Sequence, residues 1–216
     1  MNQPLKSWSH TWLKTYENCP RKYQALKVTK EVKEDDSKFS SEGKDIHRAL
    51  EHAIGHGADI PSKFSYLEKY VKPFRSKRNV LVEQRYALRE DFSPCEFFAK
   101  DAWVRSVADL VLLKSSTALL LDWKTGKIRP ERAQLVIMAF MLFQHYPALK
   151  DITAGFVWVK HDEITRFTLT REEVAEEWSE IIHRVKELER ACLEDVWPMT
   201  PNGLCGYCPV MTCPHR

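Results

Sequence analysis

Two acidic residues and a lysine lie where strongly apolar segments end. The segment LLLDWKTGK (119–127) places Asp122 and Lys124 directly after three leucines, and Asp109 lies among apolar neighbours in SVADLVLL. Burying two carboxylates together is costly unless a cation compensates their charge, and such oxygen ligands suit Mg²⁺ or Mn²⁺. A divalent cation beside a lysine is suited to hydrolysis of a phosphodiester bond.

This chemistry requires a particular local geometry. Side chains alternate across a strand, so Asp122 and Lys124 are predicted to share one face. If the strands that carry Asp109 and Asp122 are neighbours, the two carboxylates converge. Lys124 could then orient or deprotonate a water molecule and offset charge in the transition state. The alternative is an exposed Asp–Lys pair at a strand end, because the tripeptide DWK is common by chance.

Four of the six cysteines form a second candidate metal site. Three of them follow the pattern C-x2-C-x4-C in CGYCPVMTC near the end of the sequence, and Cys19 lies far from them. In a reducing compartment, clustered cysteines indicate metal or redox chemistry more often than disulfides. A zinc site that uses the trio with His215 or Cys19 is one alternative, and reduced thiols without metal are another. Cys95 and Cys192 are isolated and are predicted to be packing residues.

Hydrophobic periodicity predicts the elements that position these residues. Within the segment 9–26, a helix is predicted up to Pro20. Further helices are predicted at 41–57, 61–78 and 131–147, and from a Thr170–Glu173 capping box onward. Strands are predicted at 80–88, 101–113 and 117–124, followed by a hairpin across His161-Asp162. This order predicts an α/β fold with a central mixed five-stranded sheet flanked by helices.

Composition and charge limit the classes of protein to consider. The chain has 216 residues, of which 44% are hydrophobic, and this is enough for one domain with a sizeable core. The net charge of +3 is only a weak indication of a nucleic-acid partner. No apolar run is long enough to span a bilayer, and the N-terminus lacks the apolar region of a signal peptide. We therefore expect a cytoplasmic protein without a membrane partner.

Four motifs, in chain order, resemble the RecB-like branch of the PD-(D/E)XK nuclease superfamily. They are GKDIHRALE, SVADLVLL, LLLDWKTGK and ERAQLVIMAF, and the resemblance covers roughly residues 10–216. It implies a restriction-endonuclease-like core within a single nuclease domain, 1–216. The expected parts are an N-terminal helical segment (1–42), the core (43–194) and a C-terminal cluster-binding segment (195–216).

The resemblance also implies roles for individual residues. The divalent metal would be bound by His47, Asp109, Asp122 and the backbone carbonyl of Trp123, with Lys124 as the catalytic lysine. Two further residues are expected at the site: Glu83 as an auxiliary acid and Gln134 in DNA contact or in ordering the site. For His47, an ion pair with Glu51 one turn later is the alternative. The family often has a tyrosine four residues after the glutamine, where this chain has Met138.

Iron–sulfur members of the same branch have one N-terminal cysteine and a C-terminal trio. They include AddB-type helicase-nucleases and the CRISPR-associated Cas-four exonucleases. The resemblance implies a [4Fe–4S] cluster that joins the N- and C-terminal segments. Its ligands would be Cys19, Cys205, Cys208 and Cys213.

DNA contact is expected from basic and aromatic residues near the site. The candidates are Arg21, Lys22, Tyr23, Arg75, Lys77, Arg78, Lys127, Arg129 and Arg132. The sequence thus predicts a metal-dependent DNA exonuclease in recombination, repair, phage replication or CRISPR adaptation. It would act on DNA that is single-stranded or has free ends, with recombination or CRISPR proteins as partners. A DNA-end-binding module that does not cleave, or a zinc-stabilised nucleic-acid adaptor, are the alternatives.

Overall fold

The computed structural model describes residues 3–33 and 38–216. The chain divides into two compact units, and the boundary between them falls within the last long helix. One unit consists of Met1–Asp36 and Ser179–Arg216, and the other consists of Ser37–Trp178. The single domain and its three expected parts stay a prediction.

The regular elements follow the predicted order. The helices are α1 (His10–Asn18), α2 (Pro20–Tyr23) with a π-helical turn (Gln24–Val28), α3 (Lys38–His56), a 3-10 turn (Ser62–Leu67), α4 (Glu68–Val71), α5 (Arg132–His145), α6 (Arg171–Glu194) and a 3-10 turn (Cys205–Tyr207). The strands are β1 (Val80–Leu88), β2 (Pro94–Cys95), β3 (Val104–Leu113), β4 (Thr117–Lys124), β5 (Asp151–Trp158) and β6 (Glu163–Thr170). Among the described residues, no helix combines the length and the apolar composition that crossing a bilayer requires.

The six strands form one mixed sheet in the order β2-β1-β3-β4-β5-β6. Strands β4 and β5 are parallel, and the other neighbours are antiparallel. The α/β class with a mixed sheet is confirmed, but the prediction of five strands is wrong because the two-residue β2 adds a sixth. Two residues are too few to show a period, and Pro94 is tolerated because β2 lies at the edge of the sheet.

Two predicted helices differ from the structure at prolines. Helix α1 ends at Asn18, Cys19 is extended, and Pro20 takes the first position of α2, where its missing N–H carries no cost. The region predicted as a helix at 61–78 contains only a 3-10 turn and the short α4, with Pro73 two residues after α4. The predicted capping box is confirmed: Thr170 N donates to Glu173 Oε2 (3.0 Å), and Glu173 N donates to Thr170 Oγ1 (3.2 Å).

Helices lie against the sheet in the unit that contains it. Helix α3 and the 3-10/α4 region form a buried cluster with β3, β4 and β5, which includes Ile46, Leu50, Leu121 and Trp123. Helix α5, which is buried on most sides, contacts β1, β3 and β5. The start of α6 packs on α5, where the Trp178 and Phe140 rings stack at 3.9 Å. Helices α3 and α5 thus bring His47 to Asp109 in the middle of β3 and Gln134 to Asp122 near the end of β4.

Candidate active site

Asp109 is the buried acid that organises the site. It lies on β3 and is only 9% exposed. Its Oδ2 accepts a hydrogen bond from the backbone N of Trp123 on β4 at 2.7 Å. The contact fixes the carboxylate against the neighbouring strand, because an unpaired buried N–H would otherwise carry a desolvation cost. The predicted convergence of the two strands at Asp109 is therefore observed.

His47 faces the other oxygen of the same carboxylate. Its Nδ1 lies 3.3 Å from Asp109 Oδ1, so the structure pairs His47 with Asp109 and not with Glu51, the alternative partner. Burial lowers the pKa of His47, but the hydrogen bond and charge of Asp109, together with the charges of Asp122 and Glu83, outweigh burial and raise it. Gly43 allows α3 to approach Thr125 closely, because a Cβ atom at this position would lie only 3.1 Å from Thr125 Oγ1.

Glu83 completes the group and has a strained backbone. Its φ is +48°, in the left-handed region that a non-glycine residue rarely adopts within a strand. The donor atoms of His47, Glu83 and Asp109 all lie within 4.8 Å of one another. Within residues 3–33 and 38–216, no other His, Cys, Asp or Glu group is this compact. Such strain persists where the surrounding structure holds it, and it is concentrated at functional sites.

The strain at Glu83 gives a testable prediction. We expect Glu83→Gly to raise the thermal unfolding midpoint in EDTA, because relieving a left-handed non-glycine residue recovers about 1 kcal/mol. Glu83→Gln keeps the backbone strain and removes only the charge, so it serves as the matched control. Both variants should bind Mn²⁺ more weakly than wild type. A Glu83→Gly protein no more stable than Glu83→Gln would contradict the role of strain.

Asp122, Lys124 and Gln134 form a second, adjoining network. Lys124 Nζ lies 2.7 Å from Asp122 Oδ2 and donates to Gln134 Oε1 at 2.9 Å. The amide group of Gln134 donates to Asp122 Oδ1 at 2.6 Å. Asp122 and Lys124 thus share the face that alternation predicts. Asp122 is 4% exposed, so the alternative of an exposed ion pair is wrong.

The electrostatics of Asp122 and Glu83 favour a bound cation. Burial and then the charge of Asp109 raise the pKa of Asp122 to about 6, although Lys124 lowers it. Burial and Asp109 also raise the pKa of Glu83. The ionised carboxylates are therefore unfavourable beside one another, and a bound divalent cation would remove that cost. Carboxylate oxygens with one imidazole suit Mn²⁺, and the oxygens also suit Mg²⁺.

An open cleft of about 510 Å³ gives access to the acidic group. It is lined by His47, Glu83 and Asp109 and also by Glu51, Val107 and Thr125. Asp122 is not among the lining residues or in the compact group, whereas the resemblance had put it among the metal ligands. In this geometry, Glu83 is a stronger candidate for a metal ligand than its sequence context indicates. The backbone carbonyl of Trp123 stays a predicted ligand.

The four predicted cluster cysteines line one cavity. Cys19, Cys205, Cys208 and Cys213 surround a space of about 230 Å³ within the unit formed by both chain termini. All six cysteines of the chain are described, and each is a free thiol. No three of these sulfurs lie within 4.8 Å of one another, whereas ligands of a single tetrahedral zinc ion would lie about 4 Å apart.

The predicted DNA-binding residues have different surroundings. Several are engaged in ion pairs: Arg21 with Glu31 (2.5 Å), Arg75 with Glu68 (3.0 Å) and Arg132 with Glu177 (2.6 Å). Exposed on the surface are Lys77, Arg78, Lys127 and Arg129, and Lys22 lines the cysteine cavity. Tyr23 is only 3% exposed and its ring stacks on Trp197 at 5.8 Å, so little of its surface is available to a base.

Similar folds are found among solved structures. No curated protein sequence matches the chain. A crystal structure named "Putative exonuclease" from Eubacterium rectale superposes with a TM-score of 0.59 and 11% identity, covering 97% of this chain and 90% of that one. At this identity the likeness supports the fold alone. A structure named SSO0001 has a TM-score of 0.45 and 12% identity, covering 99% of this chain and 88% of that chain.

The sequence profile of one family matches residues 7–214, which is nearly the whole chain. The profile is that of the PD-(D/E)XK nucleases, and the matched range contains Asp109, Asp122, Lys124 and Gln134. The chain belongs to the PD-(D/E)XK nuclease superfamily.

Proposed function

We propose that this protein is a deoxyribonuclease of the RecB-like branch that hydrolyses DNA from its ends with Mg²⁺ or Mn²⁺. The observation that carries the proposal is the meeting of His47, Glu83 and Asp109 in one open cleft. Lys124 lies on the adjoining strand and is held by two side chains. Membership of a nuclease superfamily supports the reaction class.

The ion would be bound by the compact group together with Asp122 and the carbonyl of Trp123. The donor set fits because a divalent cation would compensate the charge of Asp109, which together with burial raises the pKa of Asp122 and of Glu83. When bound, the ion would polarise a phosphoryl oxygen and lower the pKa of a water molecule. Asp109 would hold one oxygen toward the cleft, because its other oxygen accepts from Trp123 N.

Lys124 would act on the reacting phosphate. Its ammonium group is fixed by Asp122 and Gln134, so its position needs no reorganisation when charge develops on the phosphate. Nζ has protons with which to orient the attacking water and to stabilise the phosphoryl oxygens. In this interpretation Gln134 is a positioning residue, because its amide bridges the lysine and the acid.

Digestion of end-labelled oligonucleotides with Mn²⁺ tests the proposal. Three substrates are compared: an unblocked strand, a strand blocked at the 5′ end and a strand blocked at the 3′ end. An exonuclease releases mononucleotides progressively, and one of the blocks stops it. Internal cuts in all three substrates would make the protein an endonuclease. No product from any substrate, with DNA still bound, would favour an end-binding module.

We also propose that Cys19, Cys205, Cys208 and Cys213 bind a [4Fe–4S] cluster that ties the two chain termini together. Support comes from the four free thiols that line one cavity. Asn202 N lies 3.2 Å from Cys205 Sγ, a donor that would stabilise a thiolate. The role is structural, because holding both ends of the chain at one metal group couples its binding to folding.

Replacing any of these cysteines by serine is expected to remove the cluster. Protein purified without air should be brown and contain iron and sulfide, and Cys208→Ser should be colourless and less stable to heat. Cys95→Ser is the matched control, since Cys95 lies in the other unit, and it should keep its colour. Wild-type protein that is colourless and contains one zinc per chain would contradict the cluster.

These activities suit a cytoplasmic protein that processes DNA ends in recombination, repair, phage replication or CRISPR adaptation. Its substrates would be DNA that is single-stranded or has free ends, handled together with recombination or CRISPR proteins. Lys127 and Arg129 are exposed and follow the strand that carries Lys124, and they would contact the phosphate backbone.

A further inference from the structure

Two adjacent phenylalanines lie on the surface beside the sheet edge. Phe98 is 77% exposed, and its ring makes an edge contact with Phe97 at 5.1 Å. The guanidinium carbon of Arg85 lies 5.7 Å from the ring centre of Phe97 and 5.5 Å from that of Phe98. A phenylalanine this exposed contributes little to a core, and together with the half-buried Phe97 and the charged Arg85 it forms a contiguous surface that a ligand could contact.

Hydrogen bonds hold the backbone of the loop that carries Phe97 and Phe98. Arg105 Nε donates to Phe97 O at 2.6 Å, and Arg105 Nη2 donates to Ala99 O at 3.0 Å. Ala99 N donates to Glu96 O at 2.9 Å and closes a tight turn. Three hydrogen bonds thus hold the backbone on both sides of Phe98. A ring presented on an ordered turn loses less entropy on binding than one on a loose loop.

This loop adjoins the acidic cleft through the strand register. Arg85 of β1 is the cross-strand partner of Val107 of β3, and cross-strand partners share a face of the sheet. Val107 lines the cleft together with Glu83 and Asp109. Val107 and Arg85 therefore connect the proposed metal-binding residues, Glu83 and Asp109 among them, to the rings of Phe97 and Phe98. All of these residues lie within Ser37–Trp178.

We propose that Phe97, Phe98 and Arg85 form a subsite that binds unpaired nucleotides of DNA next to the bond to be cut. The inference rests on the proposed function for its substrate. The exposed face of Phe98 offers a stacking surface for a base, which must be unpaired and unstacked to reach it. Arg85 offers a cation for a neighbouring phosphate, and its positive charge is complementary to the negative charge of the DNA backbone. The subsite would make the protein prefer single-stranded ends.

The test is a binding cycle between Phe98 and one base of the DNA. Affinity for a fluorescent oligonucleotide is measured with Ca²⁺ in place of Mg²⁺, so that binding is separated from cutting. Phe98→Ala should weaken single-strand binding about 10-fold. A set of oligonucleotides with one abasic position should contain one that weakens wild type by a similar factor. For Phe98→Ala that same abasic position should cost nothing further, because the partner ring is gone.

Two variants serve as controls. Phe98→Tyr keeps a stacking ring and should bind like wild type. Ile164→Ala removes a 44% exposed apolar side chain from β6, at the opposite edge of the sheet, and should change nothing. Equal affinity of Phe98→Ala and wild type, or additive losses at every abasic position, would overturn the subsite. Because no cutting is needed, coupling without nuclease activity would keep the subsite and reject the proposed reaction.

Discussion

Lys124→Ala is expected to lower the cleavage rate about 10³-fold while DNA binding stays within a few-fold of wild type. The ammonium group is the one cation that β4 places beside buried Asp122, and its contribution arises as charge develops on the phosphate. The measurement is single-turnover cleavage of a labelled oligonucleotide with Mn²⁺, alongside its affinity in Ca²⁺.

Two controls separate chemistry from folding. Lys186→Ala removes an exposed lysine of α6 in the other unit and should cleave at nearly the wild-type rate. Lys124→Ala leaves Asp122 without its cation, so the unfolding temperature of both proteins is compared. Wild-type rates in a folded Lys124→Ala protein would remove this lysine from the mechanism.

Replacement of Asp109 is expected to have the second large effect. Two variants separate the loss of a metal ligand from the loss of the hydrogen-bond acceptor for Trp123 N–H. Asp109→Ala removes a metal ligand and also the acceptor of the Trp123 N–H, which should destabilise the fold by about 1–3 kcal/mol. Asp109→Asn keeps a carbonyl oxygen for that N–H and loses the charge. Both should bind Mn²⁺ at least about 100-fold more weakly, since even residues outside the metal ligands change affinity by 10–100-fold.

Calorimetric titration with Mn²⁺ and thermal unfolding in EDTA measure the two effects separately. We expect only Asp109→Ala to unfold at a clearly lower temperature, and both variants to lose metal affinity. If Asp109→Asn bound Mn²⁺ as wild type does, the cleft around His47 and Glu83 would not be the metal site.

Much of the site could be predicted because strand alternation is a strong constraint. The shared face of Asp122 and Lys124 follows from their spacing alone, and both side chains meet Gln134. The meeting of Asp109 with β4 required only that consecutive strands be neighbours, as they usually are. The same regularity gave the α/β class and the hairpin across His161-Asp162.

The position of Glu83 could not be predicted from pattern. Its left-handed backbone breaks the alternation on which strand predictions depend, and glycine is the residue that would normally mark such a φ. The distribution of acids into two networks was also missed, because it depends on which side chain reaches Gln134 and which reaches His47.

Local breaks in pattern explain the remaining differences. Pro20 was interpreted as the end of a helix, whereas it starts α2 after the extended Cys19. This break separates Cys19 from α1 and lets it reach the same cavity as the C-terminal trio. Spacing within the trio indicated a metal site, but the partnership with a residue almost two hundred positions earlier is a property of the fold.

The proposed metal site is tested most directly by electron paramagnetic resonance of bound Mn²⁺ in protein whose histidines carry ¹⁵N. We expect one ion per chain with a ¹⁵N coupling from a directly bound imidazole, and loss of that coupling in His47→Gln. Mn²⁺ that binds without any such coupling, or whose coupling survives in His47→Gln, would contradict the site assembled from α3, β1 and β3.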